Sequence, residues 1–327
     1  MLAFVIRRIL QSCMVLLTVA LLAFTMFRFV GDPVAQIVSL DTPAEEVRKV
    51  RESLGLDDPV IVQMGRYLYK AVQMDFGISY QFRQPVIQLL AERAPATLEL
   101  ALISSFLSLA IGIPMGVYTA LRRDSLFARV FQSISLVGVS LPTFLIGILL
   151  IYLFAVTLGW LPSFGRGQVV TVSGRWSTGL LTVSGLKALI LPSITLGLYQ
   201  MTLIMRLVRS EMLEVLRTDY IKFARARGLP ERTVHFRHAL KNTLVPVITV
   251  AGLQLGSIIA FAIITETVFQ WPGMGLLFIQ AVTVADVPVM AAYLCLIALF
   301  FVVINLVVDL LYYAVDPRLR FERATTH

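Results

Sequence analysis

Six apolar stretches, residues 9–30, 98–121, 130–158, 188–205, 243–265 and 289–308, dominate this sequence and leave it few ways to fold. About 20 apolar residues are needed for a helix to cross the ~30 Å hydrocarbon core, because lipid offers backbone N–H and C=O groups no partner outside the helix. All six stretches come close enough to that length. The fourth, 188–205, is the shortest and carries Pro192 and Gly197. The pattern points to an all-α membrane protein with six transmembrane helices. Composition agrees, since 57% of residues are hydrophobic and 15% charged, against roughly 45–50% and about 25% in soluble domains.

Lys and Arg set the expected orientation. With the N-terminus inside, the inner segments hold Arg7 and Arg8, Arg122, Arg123 and Arg129, the cluster between Arg206 and Lys241, and Arg318, Arg320 and Arg323. The positive-inside rule then places both termini in the cytoplasm. Basic excess can also signal nucleic acid; here it lies beside the spans, where topology explains it, and no nucleic-acid partner is expected. The first apolar stretch is longer than the 7–15 residues of a signal peptide and is read as an uncleaved anchor. Cys13 and Cys295 lie inside expected spans and are read as packing residues.

The resulting division is a tail and first helix at 1–30, an extracytoplasmic helical subdomain at 31–95, a five-helix core at 96–315 with an inner loop at 206–242, and a cytoplasmic tail at 316–327. In the subdomain, "TPAEEVRKVRESLG" offers Thr42 as N-cap, Pro43 at the first helical position, Glu45 as capping-box partner and Gly55 past the end. A second helix is expected from Asp58 as cap and Pro59, ending before "MDFG". The subdomain can brace the bundle or touch a partner on its side. After the third span, "GWLPSFGRGQ" and "TVSGRWSTG" read as a surface loop.

Chemistry-bearing motifs are scarce. The sequence holds no G-x-x-x-x-G-K-[ST] for nucleotide phosphates, no H-E-x-x-H and no G-x-S-x-G. His235 and His238 share a helix face, yet two imidazoles without a third ligand make a poor metal site, so no metal is expected. Arg28, Glu99, Lys187, Glu266 and Asp309 fall near span ends, where an aqueous boundary can solvate them, which speaks against an ion-coupled pump. No inverted repeat is visible.

The polar stretch "TDYIKFARARGLPERTVHFRHALKN" stands between two spans. Leu213, Leu216, Tyr220 and Phe223 follow helical spacing and would line one face. Gly228 suits a left-handed C-cap and Pro230 the first turn of a following helix. The expected product is a helical hairpin joined to two spans. Such a hairpin can transmit a push from a partner, or lie on anionic lipid. Gly138, Gly197, Gly252 and Gly256 mark span faces that could border a translocation path or serve close helix packing.

This hairpin resembles the cytoplasmic coupling loop of ABC importer permeases, and "DYIKFARARGLPERTVHFRHALKNTLVPVIT" is similar to the version in the dipeptide and oligopeptide branch. The likeness runs nearly end to end, through "MLAFVIRRIL", "GDPV", "LGLDDPV", "DFGISY", "PATLEL", "GIPMGV", "RSEMLEVL", "TETVFQWPGMG" and "NLVVDLLYYAVDPRLR" in family order. Against the general permease pattern, Lys222 and Phe223 depart from Glu-Ala-Ala, Ala224 matches, and Pro246 stands farther from Gly228 than usual.

The resemblance implies a type I ABC importer permease fold in a bacterial inner membrane, and a chain that forms half of the pathway without being an enzyme. It implies two ABC ATPase subunits holding ATP and Mg, a second homologous permease and an extracytoplasmic solute-binding protein. Asp219, Tyr220, Ala224, Arg227, Gly228 and Leu229 would then dock into an ATPase. Peptides are the implied cargo, with glutathione, nickel or another small solute as alternatives.

Overall fold

Apolar helices make up most of the fold, a computed structural model that describes residues 2–29, 34, 43–53, 55–174 and 176–315. Their order is α1 (Leu2–Phe29), α2 (Ala44–Ser53), α3 (Val60–Val72), α4 (Val86–Leu121), α5 (Leu126–Ser140), α6 (Thr143–Thr157), a hairpin of β1 (Val170–Ser173) and β2 (Trp176–Thr178), α7 (Val183–Val215), α8 (Asp219–Ala226), α9 (Glu231–Val268), α10 (Met274–Thr283) and α11 (Val287–Val315). Among the described residues, α1, α4, α7, α9 and α11 contain spans long and apolar enough to cross a membrane, and α5 with α6 supplies a sixth.

That sixth span differs from the single helix expected over 130–158. It is broken into two helices at 115°. The cause is local: Leu141 precedes Pro142, whose ring pushes its predecessor out of the helical region, and both residues are extended, with ψ of 138°. The two helices still read together as one apolar span, so apolar length alone does not show the break. Two other spans are longer than their apolar cores. Helix α7 starts at Val183, where the Thr182 hydroxyl accepts the Gly185 N–H at 3.0 Å, and continues to Val215 with Pro192 inside. Helix α9 begins at Glu231 and passes through a wide π segment at Val234–Ala239 before regaining α geometry.

Helices α2 and α3 stand where the two short helices were expected. Thr42, the expected cap of α2, lies outside the described residues, as does the tail at 316–327. Asp58 does not cap α3. Pro59 is the capping residue, and the Asp58 carboxylate instead accepts from Arg66 at 2.7 Å. The expected surface loop before α7 carries the β1–β2 hairpin, with Gly174 at φ 52° in its turn.

The chain divides into two units. In the first, residues 1–97, 171–178 and 272–303, the core joins Val86, Leu89 and Leu90 of α4 to Met274, Leu277 and Ala281 of α10 and Met290 and Tyr293 of α11. In the second, residues 98–170, 179–271 and 304–327, the core joins Val117 and Ala120 of α4, Ile204, Val208 and Met212 of α7, and Val247 and Ala251 of α9. Ile221 and Ala224 of α8 belong to the same cluster. The polar hairpin is therefore fastened to the bundle by its own apolar side chains.

Candidate functional site

Helix α7 ends one turn before the hairpin proper. Leu216, Arg217 and Thr218 form a turn whose N–H groups reach Met212, Glu214 and Val215, and Thr218 is extended at ψ 155° before α8 starts. The expected single face of Leu213, Leu216, Tyr220 and Phe223 does not form, because this turn resets the helix direction. What α8 buries is Ile221, fully, and Ala224, at 7% exposure; Tyr220 and Phe223 face outward, at 41% and 64%.

The end of α8 is a complete Schellman cap. Leu229 N–H donates to Ala224 C=O at 3.3 Å and Gly228 N–H to Arg225 C=O at 2.9 Å, closing around Gly228 at φ 76°. A left-handed residue at this place is what lets both bonds form, and only glycine adopts it without a steric penalty. No atom stands within 4 Å of a Cβ built on Gly228, so the requirement there is conformational and not spatial. Pro230 then caps α9.

Side chains hold the two arms of the hairpin together. Glu231, in the first turn of α9, accepts from Arg225 of α8 at 3.0 and 3.4 Å and meets His235 Nε2 at 2.9 Å. One carboxylate thus ties α8 to α9 across the glycine turn. Tyr220 accepts from Asn242 Nδ2 at 2.6 Å, a second link between α8 and α9. On the outer face Lys222 donates to Asp219 at 2.9 Å and holds that carboxyl below its usual range. The Arg227 guanidinium lies 5.8 Å from the Phe223 ring centre.

Of the six residues expected to dock, Asp219, Tyr220, Arg227, Gly228 and Leu229 are exposed on one hairpin. Ala224 is on its underside, packed in the apolar cluster. Three of the four glycines considered for a pathway sit where helices touch. A Cβ on Gly138 would lie 2.9 Å from Thr202 Oγ1, one on Gly197 2.8 Å from the Ser104 carbonyl, and one on Gly252 2.5 Å from Val308. The Ser108 hydroxyl, donating to the Gly197 carbonyl at 2.7 Å, adds a bond to this close approach. Gly256 is buried within α9.

Sequence reasoning missed a second polar centre in the same unit. Arg166 donates to Glu99 Oε2 at 2.6 Å, with both side chains 6% exposed. Gly179 N–H approaches the same oxygen at 3.5 Å, Trp271 lies 6.0 Å from the guanidinium, and Gly165 N–H bonds the Phe269 carbonyl at 2.9 Å. Glu99 was expected to be solvated by an aqueous boundary; it is buried, with Oε2 paired to Arg166 instead. Glu266 is fully buried. The single hint in the sequence was an acid on a span, because a partner 67 positions away has no periodic signature.

The glycine-turned polar hairpin is thus packed into the apolar core of a unit built from membrane-spanning helices. The fold matches a chain in the crystal structure of inward-facing conformations of the MetNI methionine ABC transporter, with a TM-score of 0.56 and 21% identity over 70% of this chain and 97% of that one. The chain belongs to the family of binding-protein-dependent transport system inner membrane components: residues 112–321 match the family profile, and residues 1–101 match the profile of the N-terminal part of such components. It is 40% identical over 323 residues to a protein of Brucella abortus described as a peptide transport system permease, covering 98% of this chain and 100% of that one. It is 37% identical over 333 residues to the dipeptide transport system permease DppB of Alkalihalophilus pseudofirmus, with the same coverage. It is also 37% identical over 323 residues to the glutathione transport system permease GsiC of Salmonella paratyphi A, again covering 98% and 100%. This is a multi-pass inner-membrane permease subunit, and its family implies a separate ATPase chain.

Proposed function

We propose that this chain forms one half of the transmembrane pathway of an ATP-driven importer of di- or oligopeptides. The observation that carries the reading is identity of 37–40% along nearly the full length with permeases named for peptides and dipeptides. In this account a second homologous permease completes the pathway, two ABC ATPase subunits bind ATP and Mg, and an extracytoplasmic solute-binding protein delivers the cargo. Both termini and the hairpin lie in the cytoplasm, as the distribution of Lys and Arg supports.

Coupling follows from the hairpin. Its exposed face, with Asp219, Tyr220, Arg227, Gly228 and Leu229, enters a groove on an ATPase. Its underside, Ile221 and Ala224, carries the displacement into α4, α7 and α9 through the shared core. The Glu231 clamp and the Schellman turn keep α8 at a fixed angle, so movement of the ATPase turns the bundle instead of bending a loop. A narrower cargo, glutathione, is the second reading, favoured by the likeness to the glutathione permease; glutathione is itself a short peptide.

Proteoliposomes holding the full complex, with ATP supplied on the ATPase side, test both. Uptake of labelled dipeptide that requires ATP and the solute-binding protein is expected. Uptake of glutathione with none of dipeptides would move the assignment to the second reading, and no uptake of either, with ATPase bound, would refute the peptide assignment.

A further inference from the structure

The first unit contains a cavity of about 440 Å³ that the coupling account does not use. Its apolar floor is formed by Phe24 of α1, Tyr67 of α3, and Pro288 and Ala291 of α11. Phe24 and Tyr67 are in ring contact at 5.8 Å between centres. Its rim carries three cations and one carboxylate: Arg66, Lys70, Arg83 and Asp75 border it, and the Asp75 carboxylate accepts from the Gly77 N–H at 3.0 Å. Arg66 is neutralised by Asp58 at 2.7 Å, whereas Lys70 and Arg83 have no ion-pair partner among the described residues.

Arg83 is held in place at a conformational cost. It adopts φ 55°, a left-handed state disfavoured for a residue with a Cβ. The loop around it is fixed by a buried anchor. Ser79 donates to Asp286 at 2.5 Å, Gln81 N–H donates to the same carboxylate at 3.1 Å, and Phe82 N–H donates to the Ser79 hydroxyl at 3.0 Å. Ser79 and Asp286 are both fully buried. A rigid, strained loop presenting an unpaired guanidinium over an apolar floor is built to meet an anion that carries hydrocarbon.

The surroundings say which one. Phe24 lies near the end of the apolar span Ile6–Met26, so the cavity opens where α1 leaves the hydrocarbon. Helix α3 packs on α1 and buries no residue, and it leaves Ile61, Tyr69 and Val72 exposed at 77%, 67% and 85%. An amphipathic helix with that face, fastened beside a span, rests in the interfacial layer of the bilayer. We propose that the cavity holds the phosphate head group of an anionic phospholipid, paired with Lys70 and Arg83, its acyl chains continuing along α1. The apolar floor distinguishes this occupant from free phosphate. The proposal is independent of the cargo assignment.

The test is native mass spectrometry of the full chain released from nanodiscs containing phosphatidylcholine with or without phosphatidylglycerol. Wild type should retain phosphatidylglycerol, and the double variant Lys70→Gln/Arg83→Gln should retain about tenfold less or lower, as expected for two lost head-group cations, with phosphatidylcholine unchanged. Arg83→Lys, which keeps the charge, should restore retention and so separates lost binding from lost folding. Equal retention by wild type and the double variant would overturn the proposal. So would displacement of the lipid by inorganic phosphate alone, which would make this a free-anion site.

Discussion

Two polar centres in the second unit solve opposite problems. The hairpin carries its charges in water, on groups close in sequence: Asp219 with Lys222, Arg225 with Glu231, Glu231 with His235. The Glu99–Arg166 pair is out of water and joins residues 67 positions apart. Exposed pairs of the first kind each contribute little, since water and salt screen them. A buried pair gains little net stability over apolar residues, yet losing one partner strands a charge at about 3–5 kcal/mol. The hairpin is therefore tuned by many weak ties and held to the bundle by apolar burial, whereas the inner pair is a single strong commitment that fixes the loop of Arg166 against α4.

The sharpest way to break this contrast is Glu99→Ala. It should cost about 3–5 kcal/mol by leaving Arg166 buried and unpaired, read as a lowered Tm of the purified chain in detergent. The double change Glu99→Leu/Arg166→Met should recover much of that loss, because no charge is then stranded. A single variant as stable as wild type would show that water reaches the pair.

Next in size is Ile221→Ala, which removes a fully buried side chain from the core under α8. Loss of about 2–5 kcal/mol is expected, with the local effect visible as faster amide hydrogen exchange across residues 219–226. Exchange unchanged there would mean that the hairpin is not fastened through Ile221.

Glu231→Gln comes lower. Its partners are partly exposed, so less than about 1 kcal/mol is at stake; the more telling readout is the angle between α8 and α9, followed by spin-label distances across the turn. A broader distance distribution is expected, and an unchanged one would show that the Schellman cap alone sets the angle. Asp219 is the smallest case. Its carboxyl is depressed by Lys222, so this tie is present above the ordinary carboxylate range and is lost as pH falls through the lowered native value. Between pH 6 and pH 8 the coupling activity should therefore show no step from Asp219, measurable as a flat uptake profile in an Asp219→Asn comparison.

The contrast also explains what could be read in the sequence. Spans register as runs of apolar residues, and the glycine turn registers as Gly228 followed closely by Pro230, because both signals are local. The 115° break at Leu141–Pro142 was masked because the two helices together are long and apolar enough to read as one span, although Pro142 was the local residue that marked it. The turn at Leu216–Thr218 was hidden for a related reason: a continuous helical spacing of apolar residues survived a break in the helix that carries it. The Glu99–Arg166 pair required the fold, since nothing local brings a span and a loop 67 positions apart together. Gly138, Gly197 and Gly252 were visible as small residues, but only the neighbouring helices show that their size serves close contact.

The measurement that tests the coupling account most directly is ATP hydrolysis and labelled-dipeptide uptake, taken together, in proteoliposomes holding the complex with Gly228→Val in this chain. Valine has open space at that position but resists its φ of 76°, so the Schellman turn should distort while the bundle stays intact. The account expects ATP hydrolysis to continue while uptake falls by at least about tenfold, a difference of about 1.4 kcal/mol in coupling. Uptake and hydrolysis both at wild-type levels, in a variant shown to be inserted and assembled, would contradict it.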